Sequence, residues 1–212
     1  MKKFFTNISL QQLGDLSAHV YDAVDNQRLA MDVSTRFPIL TAVNGYAQPD
    51  EPFRLIAIAG NTEAEKHNLG LLREELGALC ARRGLVCPNG VEVVDAAADQ
   101  RVSSHVSVFQ KLIGFTADDD ELFACLTYGT KPQSMALLTA MRYACRLKRN
   151  AMISCLVYGN LDRAKNAAGK LVVVGAQVYD ETAMAQMDEI TRLLAARGVE
   201  DPERAIANIL DF

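Results

Sequence analysis

The chain has 212 residues, half of them apolar, with 22 basic and 26 acidic side chains and a formal charge of −4. That length supports one substantial core and excludes two full domains. The mild negative charge excludes a protein that coats long nucleic acid through a basic face, while a small anionic ligand, held by backbone N–H groups and one or two cations, stays within reach.

"KKFFTNIS" predicts an opening strand. In "SAHVYDAVDNQRLAMDV", Ala18 and Val20, then Leu29, Met31 and Val33 past a turn at Asp25-Asn26, alternate with a period of two and predict a β-hairpin. "STRFPILTAVNGY" predicts a short helix with Ser34 or Thr35 as cap, Pro38 in the first turn and Asn44-Gly45 as stop. After the loop "PDEP", "FRLIAIAG" is a buried strand that ends on Gly60. The next helix places Leu69, Leu72, Leu76 and Leu79 on one face behind a cap at Asn61 or Thr62.

"VEVVDAA" predicts a third strand, "VSSHVSVFQKLIGF" a helix, "ELFACLTYG" a fourth strand, "PQSMALLTAMRYACRLKRN" a helix and "AMISCLVYG" a fifth strand. Strands that are apolar on both faces and alternate with helices predict an α/β fold, a mainly parallel sheet with helices on both faces. In the tail, "GKLVVVGAQVYD" predicts another strand or two. "ETAMAQMDEITRLLAARG" is a helix whose Met184, Met187, Ile190, Leu193 and Leu194 read as a packing stripe, and "DPERAIANILDF" opens a last helix with Asp201 as cap and Pro202 at its first position.

Five cysteines, odd in number and without C-x-x-C spacing, read as buried thiols of a reducing, cytoplasmic compartment. The apolar run of "MKKFF" stops too early for a signal peptide or anchor, and no stretch approaches the roughly 20 apolar residues of a membrane span. No Cys or His pair has zinc-ligand spacing, so no metal is expected; no Gly-x-Gly-x-x-Gly follows the first strand, and no cofactor is expected either. "ADDDEL" reads as a solvated loop and His105 as a residue at the edge of the core.

In open parallel sheets ligands bind beyond the carboxyl ends of the strands. The residues expected there are Thr6, Asn7 and Ser9 after the first strand, Gly60, Asn61 and Thr62 after the second, Thr127, Tyr128, Gly129, Thr130 and Lys131 after the fourth, and Tyr158, Gly159 and Asn160 after the fifth. They form a polar crest suited to phosphate, ribose or a base edge. Lys131 is its one cation, and it stands at a helix start, where a positive charge opposes the macrodipole by a few tenths to about 1 kcal/mol and usually meets an anion. The bland alternative is a solvated Lys131, with Thr127 and Thr130 serving as turn and cap.

"LTYGTKPQSMALLTAM" resembles the signature of CARF (CRISPR-associated Rossmann-fold) domains, a strand ending in a Thr/Ser-Gly-Gly-Thr-Lys type of sequence before a Met- or Leu-rich helix. Thr127, Gly129, Thr130 and Lys131 match; Tyr128 stands where glycine is common, and Gln133 adds a residue before "SM". "LGDLSAHVYDAVDNQRLAMDVSTRF", "IAIAGNTEAE" and "CLVYG" are similar to a branch of the family that carries a hairpin after its first strand. The resemblance covers residues 1–160 and leaves 161–212 as a C-terminal strand and helix extension packed on the same domain or on a dimer.

The resemblance implies a Rossmann-like fold and a homodimer whose crests together hold a cyclic oligoadenylate. It also implies two roles for the pocket, a sensor or a metal-independent ring nuclease, the latter with Lys131 stabilising the phosphorane and Thr6 or Ser9 orienting the ring. The Arg-x(4–6)-His motif of ribonuclease effectors common in the family is absent, "RVSSH" being too short. A third reading is an unrelated Rossmann-like enzyme of nucleotide or sugar metabolism.

Overall fold

A computed structural model describes residues 1–167 and 169–210. In the middle of five contiguous parallel strands lies β1 (Lys2–Asn7), paired with β3 (Arg54–Ala59) on one side and β5 (Glu121–Cys125) on the other, so that Phe5 lies between Ile56 and Ala124. Beyond β3 lies β4 (Val91–Asp95), and beyond β5 lies β6 (Met152–Lys165), both parallel to their neighbours. Then β7 (Leu171–Asp180) returns antiparallel to β6, and the two-residue β2 (Asp22–Ala23) closes the seven-stranded sheet. Because the chain builds outward from β1 through β3 to β4 and then crosses to β5 and β6, the strand order reverses between β1 and β5. This is a Rossmann-like arrangement, with its topological switch point at the carboxyl ends of β1 and β5.

Successive β1 residues face opposite ways, and each face has its own core. Phe4 stacks on Phe123 at 4.5 Å and meets the edge of Phe53 at 5.4 Å, beneath α1 (Ile39–Tyr46) and α2 (Glu63–Arg83). Phe5 packs on the other side with Val108 and Leu112 of α3 (Val102–Ile113) and Leu137 and Met141 of α4 (Lys131–Leu147). Both cores are apolar around Phe4 and Phe5, while Lys3, Thr6 and Asn7 toward the ends of β1 are buried polar residues.

The early insertion is hairpin-like but is not a regular ladder. One antiparallel bridge joins His19 and Thr35 through two backbone hydrogen bonds of 3.0 and 2.9 Å. Asn26, read as a turn residue, caps a 3-10 turn over Gln27–Leu29, and its Nδ2 donates to Asp180 at 2.6 Å and to Tyr46 at 2.7 Å. Those long-range bonds replace local strand pairing. Helix α1 runs through the expected stop at Asn44-Gly45, because Gly45 lets Arg28 approach: a Cβ there would stand 1.9 Å from its carbonyl oxygen. Thr35 does not cap the helix; its hydroxyl donates to Glu75 at 2.6 Å instead.

Strand β6 outruns its expected end. Past Val157 it leaves β5 behind and continues with β7 as a two-stranded ribbon, crossing position 160 without a break. In "ADDDEL" only the first two acids are solvated, since Asp120 is 2% exposed and pairs with Lys3 at 2.5 Å. The stripe on α5 (Thr182–Arg197) does not pack into the core: Ala185 is its one buried residue, and Met184 is 68% exposed. What holds α5 is charge, with Asp188 and Glu189 meeting Arg146 of α4 at 2.5 and 3.2 Å. The last helix, α6, spans Pro202–Leu210, and positions 211 and 212 of the predicted helix lie outside the described residues.

Candidate functional site at the strand ends

The alternation of β1 divides the expected crest in two. Thr6 faces the α1 and α2 side and is 1% exposed, its hydroxyl donating to the carbonyl of Asn7 at 3.1 Å. On the same side, the Thr127 hydroxyl accepts the Gly159 N–H at 2.8 Å and lies 3.2 Å from the Cys125 sulfur. The Tyr128 hydroxyl donates to the Arg36 carbonyl at 2.7 Å, and its ring meets the edge of Phe37. Burial pushes the phenol of Tyr128 and the thiol of Cys125 well above their ordinary values, so both stay protonated at neutral pH. This half of the crest is therefore bound to the insertion.

Tyr158 and Gly159 were expected at a strand end but lie inside β6. Gly159 admits the insertion rather than a ligand, since a Cβ there would stand 2.3 Å from Cγ of Pro38. Tyr158, on the opposite face, is 42% exposed.

The other half opens as a cleft of about 410 Å³. Leu10 and Leu13 supply its apolar wall, and Gln12, Thr62, Glu63, Glu65, Thr130 and Gln133 its polar groups. Ser9 is buried below it: its hydroxyl accepts the Gln11 N–H at 3.2 Å, and its carbonyl accepts Nδ2 of Asn68 at 2.9 Å, which shapes the loop after β1.

Both helices that point at the cleft are closed by capping boxes. Thr62 and Glu65 cap α2, and the Glu65 carboxylate also accepts the Gly60 N–H at 2.7 Å. Thr130 and Gln133 cap α4, whose second residue, Pro132, has no N–H to offer. A phosphate would thus find few free amides at either helix start, and at α2 it would meet the carboxylates of Glu63 and Glu65. Asn61 is exposed beside them. Lys131, the first residue of α4, is exposed, and among the described residues no carboxylate lies within ion-pair distance of it.

Between the two halves sits Asn7. It is fully buried, and neither its Nδ2 nor its Oδ1 has a hydrogen-bond partner among the described residues. Gly129, with φ +86°, rests on it.

No protein-family model matches the chain, and no curated protein matches it. Among the described residues, no group of three or more His, Cys, Asp or Glu side chains converges as metal ligands would. No described helix is long and apolar enough to cross a membrane.

Of the residues singled out in the sequence, Gly60, Thr62 and Thr130 share the cleft, Gly129 and Lys131 flank Thr130, and Thr6, Thr127, Tyr128 and Gly159 belong to the packing of the insertion. Gln12, Glu65 and Gln133 were not singled out. The last two were legible as the partners in T-x-x-E at 62–65 and T-x-x-Q at 130–133.

Proposed function

We propose that the chain binds a nucleotide over the carboxyl ends of β1, β3 and β5, with base and ribose in the cleft and phosphate toward Lys131. The observation that carries this reading is the pairing of a polar cleft at the switch point with a cation next to its wall that has no acidic partner among the described residues. Glu63 suits ribose hydroxyls, and the carboxylates of Glu63 and Glu65 repel phosphate, which favours the nucleoside moiety inside the cleft and the charge outside it. At about 410 Å³ the cleft is near the small end of ligand sites and fits one nucleotide unit.

A mononucleotide bound by one copy is the simplest ligand of that description. The finer reading, from the resemblance of the Thr127–Lys131 loop, is a cyclic oligoadenylate divided between the clefts of a homodimer, one or two units to each copy. Binding without cleavage is favoured, because the hydroxyls of Thr6 and Ser9 already serve internal hydrogen bonds and Lys131 then has no partner to orient the ring.

Isothermal titration with AMP, ATP, cyclic tetra-adenylate and cyclic hexa-adenylate, with product analysis, tests these readings. One AMP per chain supports the mononucleotide form, and one ring per two chains supports the dimer form. Lys131→Ala weakens either by roughly 10-fold or more, the loss of one charge-assisted contact. Absence of binding by all four ligands overturns the proposal, and linear products lost in Lys131→Ala would make the protein a ring nuclease.

A further inference from the structure

We propose that Asn7 determines base specificity, its side-chain amide pairing with the N6–H and N7 edge of adenine; this rests on the nucleotide reading above. A buried amide with neither its donors nor its acceptor engaged is costly and seldom kept where it does nothing. Asn7 is 0% exposed, and both Nδ2 and Oδ1 lack partners among the described residues. In the nearby Asn68 the donor side is satisfied, its Nδ2 shared between the carbonyls of Ser9 and Gln11 at 2.9 and 3.0 Å, and only Oδ1 lacks a partner among the described residues, whereas Asn7 has neither side engaged.

Asn7 lies at the switch point, and Gly129 rests directly on it: a Cβ on Gly129 would stand 2.7 Å from both Cβ and Cγ of Asn7 and 3.0 Å from Oδ1. The next residue, Thr130, is a wall of the cleft. The turn that carries Gly129 is fastened on both sides, by the Tyr128 hydroxyl on Arg36 and by the Thr130 cap, and access of a base to the amide requires Gly129 to move off it between those two fixed points. Once it lifts, the amide offers a donor and an acceptor side by side. Adenine presents the complement on its N6 and N7 edge, whereas guanine presents two acceptors there.

The experiment compares AMP, 7-deaza-AMP and GMP on wild-type protein and on Asn7→Leu, a replacement of similar volume without the polar group. A bidentate contact of this kind discriminates by about 5- to 150-fold. Wild type is expected to lose affinity by such a factor for 7-deaza-AMP and for GMP, and Asn7→Leu to bind all three equally weakly. Freed of the unpaired amide, the ligand-free variant is expected to melt about 2–4 °C higher than wild type.

Equal binding of AMP and 7-deaza-AMP by wild type overturns the assignment, and that arm needs no variant to fold. A variant that melts several degrees lower and keeps its preference for AMP overturns it as well, making Asn7 a structural residue. If wild type binds none of the three nor cyclic tetra-adenylate, the nucleotide reading fails first and the assignment with it.

Discussion

The carboxylate of Glu65 accepts the backbone N–H of Gly60 at 2.7 Å, so the turn after β3 is closed by an anion that the protein supplies itself. Thr62 completes the arrangement, its hydroxyl accepting the Glu65 N–H at 3.2 Å. Replacing Glu65 by Ala removes the box and is expected to cost about 1–2 kcal/mol, read as a lower urea midpoint with unchanged slope. An unchanged midpoint would mean that the box contributes nothing to α2.

Gly14 and Gly129 share a φ of +86°, but nothing lies within 4 Å of a Cβ on Gly14, whereas Asn7 lies 2.7 Å from one on Gly129. Gly14→Ala is therefore expected to cost about 1–2 kcal/mol, the strain of a left-handed backbone alone. Gly129→Ala adds about 1–3 kcal/mol for overpacking against Asn7. Equal costs would show that the two residues are not in contact.

The acid-paired lysine at the opposite end of the sheet makes a separate test. Lys3 donates to Asp120 at 2.5 Å and to the Phe115 carbonyl at 2.7 Å, and Asp120 also accepts the Ala117 N–H at 2.6 Å. Asp120→Leu alone leaves Lys3 buried and unpaired and is expected to cost about 3–5 kcal/mol; Lys3→Met leaves Asp120 only the Met1 ammonium at 3.6 Å and is expected to cost less. The double variant is expected to recover much of that loss in thermal unfolding; additive losses would mean that the pair is not coupled.

Acid should loosen the seam between α4 and α5. Hydrogen bonds from Arg192 and then Arg146 hold the Glu189 carboxyl down at about 2, against an ordinary value of 4.5. With the folded value below the unfolded one, its contribution is full above about pH 4.5 and fades as pH falls toward 2. The group is 39% exposed, so the effect is small and shrinks with added salt. Stability curves of wild type and Glu189→Gln are expected to differ at pH 7 and converge near pH 2; parallel curves would exclude Glu189 from the acid response.

The parallel sheet was legible because strands such as "FRLIAIAG" are apolar on both faces and alternate with amphipathic helices, a pattern that only a covered sheet satisfies. The insertion was less legible. Its alternating residues are fastened by Asn26 to Asp180 and by Thr35 to Glu75, partners 154 and 40 residues away that local spacing does not reveal. At the crest the second strand's end was placed within a residue, at Gly60, whereas the first and fourth strands stop at Asn7 and Cys125, short of the ends read from "KKFFTNIS" and "ELFACLTYG". Gly159 misled because a glycine after an apolar run reads as an end, while here it makes room for Pro38. Which face of β1 meets the insertion decides that Thr6 is packing and that Asn7 lies on the other face beneath Gly129, and that depends on a segment whose path the sequence leaves open.

β1 is an interior strand made before both of its neighbours, β3 and β5, which arrive later along the chain. On the ribosome it waits for residues 54–59 and then 121–125 before either edge is covered, so maturation of the domain hinges on contacts of long sequence separation. Such topologies fold slowly and expose sticky edges meanwhile. The same late-closing seam, between β1 and β5, is where the finished protein has its crevice.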